Sequence, residues 1–407
     1  MVLPVNPVSQ IQLTALPELS LYVHLPWCVR KCPYCDFNSH ESRADIPEKA
    51  YLSALIADLE SSLPLVWGRP IVSIFIGGGT PSLFSPDAIG ELLMAIRARL
   101  KVLPGAEITL EANPGTFEAE RFLGFRDAGV NRLSLGIQSF DNDHLRALGR
   151  VHDRNQAIGA AELAIKHFEK VNLDLMFGLP GQDQKGVDAD LQQAIAMGAQ
   201  HVSCYQLTLE PNTRFAVQPP SGLPDDDTLA DMQAFVVDRL GQAGLHRYEI
   251  SAYAAAGQAS AHNLNYWTFG DYLGIGAGAH GKLSFADKIT RTLKPRHPDL
   301  YMQRFGAAAG APKMPVAISA VDAGGAEDVP VEALPFEFML NALRLINGVP
   351  VGRWALTTGM SVAGHPFLLE RIGKAQSLGL LSRDPGVFRA TPRGIELLND
   401  LQSIFLS

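Results

Sequence analysis

The chain has 407 residues, with 34 Lys+Arg against 42 Asp+Glu, a formal net charge of −8, 47% hydrophobic residues and 19% charged ones. This excludes a largely disordered chain and leaves no bulk basic field to attract nucleic acid or anionic lipid; the length predicts two or three domains of roughly 150 residues. Four cysteines are too few for a disulfide framework, and three of them fall within eight positions, which points to a metal site in a reducing compartment.

Residues 1–19 read as an N-terminal extension. The first 29 residues carry no Lys or Arg, and Pro4, Pro7 and Pro17 interrupt any apolar run, so no secretory signal is expected. No run approaches the roughly 18 apolar residues of a membrane span, and the expected location is the cytoplasm. From residue 20 to about 290, short β-branched runs alternate with helical patterns. The predicted strands are Leu21–Leu25, Ile71–Ile76, Glu107–Glu111, Arg132–Ile137, Val171–Phe177 and His201–Leu207. Helices are predicted at Pro47–Leu63, Pro86–Leu100, Phe117–Ala128, Asn155–Glu169 and Gln184–Met197. The alternation predicts an α/β fold with a parallel sheet: six βα units, too few for an eight-fold barrel but enough for an open partial one. In such folds chemistry gathers where strands end.

Past Leu283 the rhythm stops. The stretch 305–330, rich in Ala, Gly and Pro, reads as a linker or insertion. Residues 336–407 read as a small helical module, with helices at Glu337–Ile346 and Phe367–Leu378 and a β-wing at Gly379-Leu-Leu and Val387-Phe-Arg-Ala. That pattern resembles a winged helix. Its seven Lys/Arg against five Asp/Glu supply too little phosphate attraction for a DNA reader, so a structural or docking role is expected.

Cys28-Val-Arg-Lys-Cys32-Pro-Tyr-Cys35 is the most specific motif. Three thiolates in one loop after the first strand suit three irons of a [4Fe–4S] cluster and leave the fourth iron open to a small chelator. The alternative is a Cys₃His zinc site completed by His24 or His40. Cys204, alone in a strand, reads as an inert core residue. Gly77-Gly-Gly-Thr-Pro-Ser82 follows the second strand, where glycines let backbone approach a ligand. Glu111 closes the third strand, Gln138 the fourth, and Asp174 sits inside an apolar fifth, where a lone carboxylate is costly. Each fits a satisfied structural group, but together they suggest one ligand pocket. Gly274-Ile-Gly-Ala-Gly-Ala279 formally matches a dinucleotide fingerprint, yet Tyr272-Leu273 looks too short for the strand it requires and no helix is predicted after it. These glycines are expected instead to let the chain pass close beneath the cluster.

The cysteine motif after the first strand resembles the radical S-adenosylmethionine (SAM) superfamily. The similarity extends over Leu21 to Gly281, and more loosely the C-terminal module, to the oxygen-independent coproporphyrinogen III oxidase family and its haem-chaperone branch. The resemblance implies a [4Fe–4S] cluster on Cys28, Cys32 and Cys35, with SAM chelating the open iron. It implies a SAM site of Tyr22, Tyr34, Gly78, Gly79, Thr80, Glu111, Gln138, Arg150 and Asp174. Without it, Arg150 reads as a solvated helix end. Two features separate the branches. The oxidases have a further cysteine two residues after the third, where this chain has Phe37. The chaperone branch has HNxxYW, and here the chain reads His262-Asn-Leu-Asn-Tyr-Trp267 within the segment 257–282. His262, Asn263, Asn265, Tyr266 and Trp267 are therefore the expected haem residues: imidazole ligates haem iron, and the aromatics offer flat apolar surface. The bland reading packs His262 and Trp267 into the barrel wall. The resemblance thus implies a chaperone that passes haem to acceptor proteins. An oxidase decarboxylating two propionates is the alternative. An exposed cluster edge would suit an electron donor, or a second copy in a homodimer.

Overall fold

A computed structural model describes residues 11–42, 45–115, 121–306 and 324–406. Six parallel strands, β1 (Leu19–Leu25), β2 (Pro70–Gly78), β3 (Lys101–Ala112), β4 (Arg132–Gln138), β5 (Lys170–Phe177) and β6 (His201–Gln206), lie side by side in chain order. Between successive strands run α1 (Glu48–Val66), α2 (Pro86–Arg99), α3 (Phe122–Ala128), α4 (Arg154–His167) and α5 (Gln184–Ala196). α6 (Asp226–Gln242) comes after β6. Local chemistry fixes where these helices start. Ser85 caps α2 ahead of Pro86, Asp153 and Gln156 form a reciprocal capping box on α4, and Asp183 and Asp225 cap α5 and α6. Residues 116–120, at the predicted start of α3, lie outside the described residues.

Side chains on a strand alternate between faces. One face of each strand, with Leu21, Val23, Ile74, Ile76, Leu133 and Leu173 among its residues, packs into the main apolar core together with Leu55, Ile89 and Leu191 of the helices. The other face is polar, carrying Ser20, Ser73, Glu107, Arg132, Asn172 and Asp174. Such a face tolerates burial only where its groups are hydrogen-bonded or line a cleft. Here they do both.

The sheet does not close into a barrel. Beyond β6, β7 (Ala252–Ala254) pairs antiparallel, and His246–Arg247 forms that edge. Beyond β1 come β8 (Asp271–Ile275), parallel to β1, and then β9 (His280–Ser284), β10 (Ile289–Leu293) and β11 (Gly325–Asp328), all antiparallel. β8 corrects the reading of Tyr272-Leu273 as too short for a strand: its five residues are all buried, and pairing with β1 rather than length makes it one. The next element is the strand β9 and not a helix, so the dinucleotide motif is incomplete. Gly276 has φ +103°, and a Cβ there would collide with the His24 carbonyl, so the glycine permits a close crossing over β1. Of the stretch read as a linker, 307–323 lies outside the described residues, while Gly325–Asp328 is β11.

A second core of Leu334, Phe338, Trp354, Leu368, Phe388 and Phe405 organises the C-terminal module. Its helices are Leu334–Ala342, Gly352–Thr358 and Pro366–Ser377. Val349–Pro350 pairs with Val387–Phe388, and Leu381 bridges Ala390, which makes a minimal wing. Ile11 joins this core, so the described end of the N-terminal extension packs on the C-terminal module.

Candidate functional site

The cysteine loop hangs from the end of β1. Trp27–Cys28 pairs with His40–Glu41, and the Cys35 N–H donates to the Cys32 carbonyl at 3.1 Å. Lys31 Nζ closes the loop onto the Phe37 carbonyl at 3.0 Å. Cys28 is buried, while Cys32 and Cys35 are half-buried. Thr80 Oγ1 donates to Cys28 Sγ and Arg150 Nη1 to Cys32 Sγ, each at 3.6 Å. Burial pushes the Cys28 and Cys35 thiols above their ordinary range, and bound iron would reverse that by stabilising thiolate. The Gly79 N–H donates to the Leu25 carbonyl at 2.8 Å, and a Cβ on Gly79 would sit 2.5 Å from the Trp27 carbonyl oxygen. Only glycine lets the β2 end lie flat under this loop.

The three cysteines open into a cleft of about 740 Å³ whose walls include Tyr34, Gly78, Gly79, Thr80, Glu111, Gln138, Arg150 and Asp174. Eight of the nine residues expected at a SAM site therefore share one cavity with the cysteines. Tyr22 stands apart. Its hydroxyl is 2.8 Å from His24 Nδ1, and its ring stacks on Phe75 with centroids 6.2 Å apart. Glu111 accepts from the Gly78 N–H at 3.0 Å; burial, and then Asp174, push its carboxyl up to about 8. Asp174, held by Asn172 Nδ2 at 2.7 Å and Ser134 Oγ at 3.4 Å, is pushed by burial up to about 6. Gln138 has φ +69°, a conformation that costs energy outside glycine and turns the chain sharply at the end of β4. Arg150, behind a left-handed Gly149, also reaches Asn113 Oδ1 at 2.6 Å and the Gly136 carbonyl at 2.7 Å, and its Nε is buried without a partner among the described residues.

These residues fit an iron–sulfur cluster with a chelating ligand: three thiols at one cleft mouth, cationic and hydroxyl donors on two sulfurs, and carboxyls deeper in. Of the two histidines that could complete a Cys₃His zinc site, His24 is taken, while His40 keeps a buried Nε2 with no partner among the described residues. Among the described residues no three His, Cys, Asp or Glu side chains converge on a single ion. Both His24 nitrogens are already engaged, by Tyr22 and by the Asn38 carbonyl at 2.8 Å. The sequence reading missed Asn113, Asn172, His201, Ser203 and Tyr205, which also line the cleft. Period-two polar positions along β5 and β6 were the available signal for all but Asn113, which follows β3.

The HNxxYW residues form α7 (Ala261–Trp267), capped by Ser260. The helix lies across the N-terminal halves of the strands, far from the cysteines along the strand direction. His262 Nδ1 is 3.0 Å from Ser73 Oγ and its ring is 5.1 Å from that of Phe75; burial pushes its imidazole down to about 4. Asn265 Nδ2 donates to Ser20 Oγ at 2.8 Å and to the Asp271 carbonyl at 2.9 Å. Tyr266 packs on Tyr272, and the Arg344 guanidinium caps Trp267 at 4.4 Å, joining the motif to the C-terminal module. Asn263 alone of the five lines the same cleft as the cysteines.

Residues 22–194 match the Radical SAM superfamily, and residues 329–397 match the HemN C-terminal domain. The protein named "Heme chaperone HemW" of Escherichia coli K12 is 45% identical over 395 residues, covering 96% of this chain and 99% of its own length. Its namesake in Bacillus subtilis is 35% identical, covering 95% and 99%. Among solved structures, coproporphyrinogen III oxidase (HemN) from Escherichia coli superposes with a TM-score of 0.78 at 21% identity, over 96% of this chain and 90% of that one. At that identity the likeness shows the fold alone.

Proposed function

Because the chain belongs to the radical SAM superfamily and, within it, to the family of the heme chaperone HemW proteins, we propose that it binds haem and passes it to acceptor proteins. The observation that carries this reading is the near end-to-end match to HemW, together with Phe37 where the oxidases carry a further cysteine. Superfamily membership implies a [4Fe–4S] cluster and SAM. Cys28, Cys32 and Cys35 would hold the cluster, which supplies an open iron and one-electron chemistry. Glu111, Gln138, Arg150 and Asp174, with the backbone of Gly78, Gly79 and Thr80, would hold SAM. An electron donor would be needed if SAM is cleaved. No helix among the described residues is long and apolar enough to cross a membrane. The proposed place of work is the cytoplasm, where the reducing environment keeps cluster-binding thiols free.

His262 is the residue that would ligate the haem iron. Ser73 engages Nδ1, which orients the ring and leaves Nε2 for the iron, and burial keeps the imidazole neutral as ligation requires. Asn263, Asn265, Tyr266 and Trp267 would shape the pocket around it. Titrating haem into wild type and His262→Ala, followed by the Soret band, tests the assignment. We expect at least a tenfold weaker Kd and a shifted band in the variant; unchanged affinity and spectrum would remove His262 from the site.

A further inference from the structure

The deep end of the cleft holds a cation that the SAM site does not use. Arg132 is 2% exposed on the polar face of β4 and lines the cavity. Its Nη1 donates to the Gln258 carbonyl at 3.1 Å and lies 3.4 Å from Glu107 Oε2, but its Nη2 is buried with no partner among the described residues. Glu107 cannot complete the pairing. It also accepts from Lys170 Nζ at 3.4 Å, from Ser260 Oγ at 3.2 Å and from the His262 N–H at 3.3 Å. Two cations thus share one carboxylate, and a positive charge is left over beside the cavity. A permanently charged guanidinium with an unmet N–H is costly to bury unless a ligand completes it.

A second arginine repeats the pattern. Arg344, from the C-terminal module, lines the same cavity. It pairs through Nη2 with Glu249 at 3.1 Å, covers Trp267, and has a buried Nε without a partner among the described residues. Asn263 lies on the same wall, and Gln258 and Ser260 tie Arg132 and Glu107 to the start of α7.

We propose that Arg132 and Arg344 form a carboxylate subsite that receives the propionates of the tetrapyrrole at the inner end of the cleft. Guanidinium forks match carboxylates in geometry as well as charge. The assignment rests on the haem-binding reading and adds to it an anchoring end remote from the cysteines.

The test is a Soret titration of the cluster-reconstituted full chain with haem and with haem dimethyl ester, in wild type, Arg132→Met, Arg132→Lys and Arg344→Gln. Wild type should bind haem at least tenfold more tightly than the diester. Arg132→Met should bring that ratio close to one, Arg132→Lys should restore part of it, and Arg344→Gln, at a partly exposed position, should reduce it without a folding defect. SAM affinity, measured in parallel, should not change. Equal binding of haem and diester by wild type, or a ratio untouched by all three variants, overturns the subsite while leaving haem binding intact. A fall in SAM affinity with the haem ratio preserved assigns the carboxylate to SAM and overturns it equally. No Soret change in wild type overturns the haem reading and this subsite together.

Discussion

Replacing Glu111 by Gln should stabilise the protein and weaken SAM binding. Glu111 is fully enclosed, and burial first, then the neighbouring Asp174, raise its carboxyl from an ordinary 4.5 to about 8. The folded state therefore holds a proton that the unfolded chain releases. The associated stability is fully present below pH 4.5 and is lost as pH rises through about 8. At 1.36 kcal/mol per pH unit, the gap amounts to about 3 kcal/mol at pH 7 and approaches 5 kcal/mol at pH 9. Gln is neutral at every pH, and its amide oxygen still accepts the Gly78 N–H. Urea unfolding of cluster-free wild type and Glu111→Gln at pH 5, 7 and 8.5 should show the two converging at pH 5 and the variant pulling ahead as pH rises. The ligand side has the opposite sign. At pH 7 about nine-tenths of free Glu111 is protonated, so a cationic amino group brought against it should displace close to one proton. Calorimetry of SAM binding in two buffers of different ionisation enthalpy counts that proton. Parallel stability profiles for the two proteins, with no proton released by wild type, would refute this account of Glu111.

Gly79→Ala should cost most of the iron on reconstitution, because its Cβ meets the Trp27 and Pro26 backbone rather than a movable side chain; iron and sulfide counts per chain check it. Cys204 is buried in β6 and burial pushes its thiol up, so Cys204→Ala should keep the visible cluster band while Cys35→Ala loses it. Asp271 is buried and accepts from Lys282 Nζ at 2.9 Å, Arg69 Nη2 at 2.8 Å, and Ser284 N and Oγ at 2.8 Å each. Asp271→Leu strands the Lys282 ammonium and should cost about 3–5 kcal/mol. Lys282→Met leaves Asp271 three donors and should cost less, and the double variant should cost less than the sum of the two in urea melts.

The strands and the cysteine motif were legible because both are local: a short apolar, β-branched run marks each strand, and eight consecutive residues carry the three thiols. Glu111 and Gln138 were legible as polar groups where apolar runs end. The structure corrected the reading where distant segments meet. Nothing near residue 262 reports that the imidazole will rest on Ser73, nor that β8, short and apolar, will pair with β1. Lys282 and Arg132 look like surface residues in sequence; Lys282 is buried against Asp271 on a neighbouring strand, and Arg132 against Glu107, a carboxylate it shares with Lys170. Arg150, a helix-end cation by pattern, touches Cys32 because the turn at Gly149 brings it back over the cleft.

The most direct test divides one anaerobically reconstituted preparation between two assays. One half is titrated with haem and followed in the visible; the other is given SAM, a reductant and coproporphyrinogen III. A chaperone should gain a sharp Soret band that saturates at one haem per chain and should form no protoporphyrinogen. A cluster spectrum that haem leaves unchanged, with protoporphyrinogen accumulating in the second half, would contradict it.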